Sequence, residues 1–96
     1  MLKSYKNAKT RRVHETGNPK GFKGLDGARA VRVLDLLDDA ATLADLPRLA
    51  SYRLHKLTGN LEGKWSITSN LPWAIIFEIA EDKKFENVEI VNYHKG

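Results

Sequence analysis

Ninety-six residues, 42% of them hydrophobic and 29% charged, suffice for one domain with a modest core and not for two, so the whole chain, 1–96, is read as a single domain. The composition excludes a disordered tail, and the lack of cysteine excludes disulfides and zinc–thiolate sites. The net charge is +4, with +7 in residues 1–32 and −3 in the remainder, a distribution that suits either a polyanionic partner such as nucleic acid or a merely solvated surface.

Leu2 to Tyr5 alternates in the manner of an edge strand that joins a later sheet. Lys6 to Glu15 reads as a helix stopped by Gly17 and Pro19, and Gly17 to Gly24 as a loop. The strongest helical period runs from Leu25 to Ala41, where Ala30, Val31, Leu34, Leu37 and Ala41 form an apolar stripe. Gly27 in its first turn and Asp38 and Asp39 near its end predict frayed termini. Leu43 to Leu49 is expected to be a short helical turn, broken by Pro47, that packs Leu43, Leu46 and Leu49 back on the core.

The run from Arg53 to Phe77 then shows a period of two: Trp65 and Ile67 against Lys64, Ser66 and Thr68, and Trp73, Ile75, Phe77 and Ile79 against Ala74, Ile76 and Glu78. Gly59-Asn60 and Gly63 suit one hairpin and Asn70-Leu71-Pro72 the next, with a last strand from Asn87 to Tyr93. Together these elements predict an α+β fold, in which an N-terminal strand and helices pack on one face of an antiparallel sheet. Val33, Leu34, Leu37, Trp65, Ile67, Trp73, Ile75 and Phe77 are expected in the shared core, and the other sheet face is expected to be free. No apolar run reaches membrane-spanning length and no signal-peptide pattern opens the chain, so the expected compartment is the cytoplasm.

The three histidines show no metal-ligand spacing, and there is no phosphate-binding glycine loop, so neither a metal nor a cofactor is expected. What remains is a set of polar residues assigned to the free face: Arg53, His55, Lys56, Lys64, Tyr93 and His94. Two proton-transfer groups with cations beside them suit RNA cleavage by attack of a 2′-hydroxyl on the adjacent phosphate. The residues by themselves leave a second reading open, a basic surface carrying ordinary histidines.

The segments RLHKLTGNLEGKWSI, NLPWAIIFEI and VEIVNYH, in that order, resemble motifs of the HigB host-inhibition toxins of the RelE/ParE superfamily, and the N-terminal part matches in kind. The resemblance implies a RelE-like fold and an endoribonuclease that cuts mRNA in the ribosomal A site, held inactive by a HigA-like helix-turn-helix antitoxin. It assigns acid–base work to His55 and to the Tyr93-His94 pair. Some members carry a lysine where this chain has Thr58, so Lys56 or Lys64 would supply that charge. At Ala74 the family has an arginine that stabilises the phosphate in the transition state. Lys6, Lys9, Arg11 and Arg12, with Lys20 and Lys23, would meet ribosomal RNA through phosphate contacts, and Arg53 and Lys64 are further RNA-binding candidates. A ParE-like gyrase poison, a binding module without catalysis, and a basic structural domain stay open as alternatives on the same fold.

Overall fold

Local capping chemistry sets where each helix begins. The Asn7 side chain accepts a hydrogen bond from the Thr10 amide at 2.9 Å, so the first helix, α1, runs Ala8–Thr16. Gly17 ends it with a φ of 75°, its N–H donating to the Val13 carbonyl at 2.7 Å. This computed structural model describes residues 1–92; the expected site residues Tyr93 and His94 lie outside the described residues.

The long helix, α2, runs Gly27–Asp39 and is capped by Asp26, whose carboxylate accepts from the Arg29 amide at 3.1 Å. Asp26 in turn donates its own N–H to Asn70 Oδ1 at 2.8 Å, which ties this end to the sheet and replaces the expected fraying with a fixed junction. At the other end the Met1 amine donates to the Ala40 carbonyl, a cation where the helix dipole favours one. The buried stripe is Ala30, Val33, Leu34, Leu37 and Ala40; Val31 is half-buried and Ala41 exposed. Gly27 is explained by packing, because a Cβ there would stand 2.2 Å from the Gly17 carbonyl oxygen. The ends of α1 and α2 meet at that point.

A single 3-10 turn, Leu43–Asp45, follows, with Leu46 buried and Leu43 packed on the core. Leu49, expected in the core, is 59% exposed, because it opens the tight turn in which the Tyr52 amide bonds back to its carbonyl. The sheet consists of β1 (His55–Lys56), β2 (Lys64–Thr68), β3 (Trp73–Ile79) and β4 (Phe85–Asn92), antiparallel and in that spatial order. The N-terminal segment extends the sheet beyond β4 through two parallel bridges, Leu2 to Phe85 and Tyr5 to Val88, in place of a continuous edge strand.

Ile67, Ile75, Phe77, Phe85, Val88 and Ile90 pack against Val13 and the α2 stripe, with Trp65 and Trp73 at the margin. Each such fully buried large side chain contributes roughly 1.5–3 kcal/mol. The expected α+β layering is therefore present. The opposite face is not free, however: Ser66 (0% exposed), Ala74 (2%) and Ile76 (6%) are buried there. Ser66, between His55 and Ile76, and Ala74, between Thr68 and Val91, are short side chains shielded by larger neighbours on adjacent strands.

Candidate active site

Register decides which side chains meet. Residues directly opposite one another on paired strands share a face. His55 opposite Ser66, Ser66 opposite Ile76 and Ile76 opposite Glu89 thus form one row across the face away from the helices. A second row pairs Lys64 with Glu78, and a third sets Ala74 between Thr68 and Val91. Lys56 stands opposite Trp65, on the helical side of β1. The expected partnership of His55 with Lys56 is therefore corrected: adjacent strand residues point apart, and Lys64 is the cation that shares a face with His55.

His55 is held by its own turn. Its Nδ1–H donates to the Arg53 carbonyl at 2.6 Å, which puts the lone pair of the neutral ring on Nε2. Arg53 takes a left-handed φ of 47° to make this turn and is exposed beside β1. The segment is braced from below by Arg29 of α2, whose Nε–H donates to the Ser69 carbonyl and whose guanidinium lies 5.0 Å over the Tyr52 ring. One side chain thus ties the entry of β1 and the turn before β3 to the helical layer.

Of the cations expected to meet RNA, the fold brings two to this face. Lys64 lies 3.8 Å from Glu78, and Lys6, reaching over from the N-terminal segment, lies 3.8 Å from Glu89. Between them is a cavity of about 480 Å³ that Leu57, Thr58, Leu61, Ile76 and Val91 help to line. Three others are on α1: Lys9 lies 5.8 Å over the Phe22 ring, Arg11 lies 5.4 Å over the Tyr5 ring, and Arg12 is exposed; Lys20 and Lys23 are exposed in the loop after α1, and Arg53 precedes β1. The basic residues are divided between the sheet face and the helical layer.

Sequence reasoning put Glu78 on this face without counting it among the site residues, and it did not place Glu89 at all. The signal was available in the strand period, since Glu78 alternates with Phe77 and Ile79 and Glu89 sits between Val88 and Ile90. Ala74 also needs correction: it shares the His55 face but is recessed between Thr68 and Val91, not outward-standing. A histidine of fixed tautomer, a lysine and two carboxylates on one apolar-floored face can carry proton transfer and bind a polar, partly flat ligand.

The fold defines a class already represented among solved bacterial structures. YafQ from E. coli strain BL21(DE3) superimposes with a TM-score of 0.60 at 15% identity, and a YafQ mutant from E. coli with 0.61 at 16%, each over the whole of both chains. Residues 3–94 match the model of the HigB-like toxins, described as RelE-like toxins of type II toxin–antitoxin systems. The endoribonuclease HigB of Proteus vulgaris is 33% identical over 93 residues, covering 97% of this chain and 96% of that protein. The chain belongs to the HigB-like toxin family.

Proposed function

We propose that this chain is the toxin of a type II module and an endoribonuclease that cuts mRNA in the ribosomal A site, with His55 as a proton-transfer group and Lys64 as a cation on the same face. Membership in the HigB-like family carries the reading, supported by a relative named as an endoribonuclease over nearly its full length. A type II toxin implies an antitoxin partner; here we assign a HigA-like helix-turn-helix protein, and we place the work in the cytoplasm, where ribosomes are. Among the described residues no helix is long and apolar enough to cross a membrane. Lys9, Arg11 and Arg12 on α1 serve ribosomal RNA, and Lys6, Arg53 and Lys64 the message.

Ala74 sets the rate in this proposal. An arginine at that point would stabilise the pentavalent phosphate, and losing one such contact typically costs about 3–4 kcal/mol, a factor of hundreds or more in rate. The chain is thus an attenuated nuclease. Ala74→Arg, with its stem rising between Thr68 and Val91, should arrest growth on induction unless the antitoxin is co-expressed, and should raise cleavage of ribosome-bound mRNA by at least a hundredfold. Free growth and no cleavage by a folded arginine form would remove the catalytic reading and leave a binding module.

A further inference from the structure

The cavity between Lys6, Lys64 and β4 carries a charge pattern that a phosphate site would not have. Its lining includes the apolar side chains of Leu57, Leu61, Ile76 and Val91, and at one margin Lys6 and Glu89 stand 3.8 Å apart, too far for a direct hydrogen bond. A phosphate would meet the Glu89 carboxylate and be repelled. A flat aromatic ring with both donors and an acceptor along one edge would suit this margin: apolar faces against the aliphatic side chains, donors to the Glu89 carboxylate, and an acceptor to the Lys6 ammonium, with Thr58, Lys64 and Asn92 elsewhere on the lining.

We infer that this cavity takes a guanine base of the bound RNA, with Glu89 accepting from N1–H and the N2 amine and Lys6 donating to O6. The assignment rests on the ribonuclease reading and adds a base preference to it. A carboxylate is an acceptor only and can take two parallel N–H donors at once. Guanine presents two adjacent donors next to an acceptor on its Watson–Crick edge, the edge that single-stranded RNA leaves open for recognition. Adenine and cytosine place a ring acceptor beside their one exocyclic amine, so one carboxylate oxygen would face a lone pair. Uracil offers a single donor between two acceptors. The Lys6–Glu89 pair is satisfied in full only by guanine, and Ile76, in the middle of the sheet floor, supplies the surface on which the ring lies.

The test needs neither ribosome nor cleavage. Titrations of the unmodified protein with GMP, AMP, CMP, UMP and IMP are followed through the methyl resonances of Ile76, Leu57 and Val91. GMP should bind at least tenfold tighter than AMP, CMP or UMP, and IMP, which lacks the N2 amine, should fall between. Glu89→Gln should bring GMP down to the level of AMP while leaving AMP nearly unchanged. Equal binding of all five, or shifts confined to residues outside the cavity, would overturn the guanine assignment, and the IMP comparison decides this without any variant. Mononucleotide discrimination that fails while ribosome-bound mRNA is still cut would sink the base preference alone. Guanine binding retained in a chain that never cuts RNA would instead overturn the nuclease reading on which the inference stands.

Discussion

Under the proposed reading, Ala74 lowers the rate without touching the fold: the strand around it keeps its register with β2 and β4, so alanine at this position leaves the sheet intact. His55 and Lys56 show the opposite lesson, since proximity in sequence on a strand is separation in space. Away from this face, Tyr5 donates to His14 Nδ1, and His14 Nε2–H donates to Asp35 at 2.8 Å, linking the N-terminal segment to both helices. Burial first, and then the carboxylates of Asp38 and Glu15, hold the Tyr5 phenol above the ordinary tyrosine value. A raised folded-state value means that the unfolded chain releases this proton first as pH rises. The contribution of Tyr5 should therefore be constant below pH about 10 and be lost progressively above it. Chemical denaturation of the native chain and Tyr5→Phe from pH 8 to 11 should show stabilities that differ by a steady amount below pH 10 and converge above it. A difference independent of pH would mean that the phenol is not so held.

At the scale of elements, the helices and the β2–β3 hairpin were legible in the sequence because their periods are long and clean. Leu34 and Leu37 recur at helical spacing, and Trp65 with Ile67 and Trp73 with Ile75 alternate at strand spacing, so the core they form follows directly. Gly27 was read as a propensity cost, and only the approach of Gly17 shows why glycine stands there, since sequence pattern carries no information on where two helix ends cross. This gives a sharp expectation. Helix propensity alone would make Gly27→Ala stabilising by about 1 kcal/mol. Because the added carbon would meet a backbone oxygen at 2.2 Å, the substitution should instead destabilise, by about 1–3 kcal/mol as overpacking does. A rise in the urea midpoint for Gly27→Ala would show that the helix ends can separate at no cost. Leu49 failed for a related reason: its spacing from Leu43 and Leu46 is helical, but the chain leaves the helix after one 3-10 turn.

For the whole molecule, layering places the chemistry. Both helices occupy one side of the sheet; the other side is floored by small and aliphatic side chains, and Lys6, Lys64, Glu78 and Glu89 stand around the cavity there. That His55 and Lys64 share one face of the sheet was legible from the strand periods. The strand period gave the face of the two carboxylates but not their partners, because only cross-strand register and the N-terminal segment bring Lys64 to Glu78 and Lys6 to Glu89. The proposed reading gives the basic α1 surface and the sheet face separate tasks, one holding a large polyanion and one acting on a strand of it.

The claim that cleavage belongs to the sheet face is tested most directly by mRNA cutting on programmed ribosomes, with His55→Ala and Lys56→Ala compared in the Ala74→Arg background. These residues are adjacent in sequence and on opposite sides of β1 in space. Loss of a general acid or base typically lowers the rate by about 10²–10⁴-fold. His55→Ala should fall by that amount, while Lys56→Ala stays within about threefold of its parent, since a screened charge off the reacting face contributes little. Full-rate cutting by His55→Ala, or an equal collapse of Lys56→Ala, would contradict the assignment of the chemistry to this face.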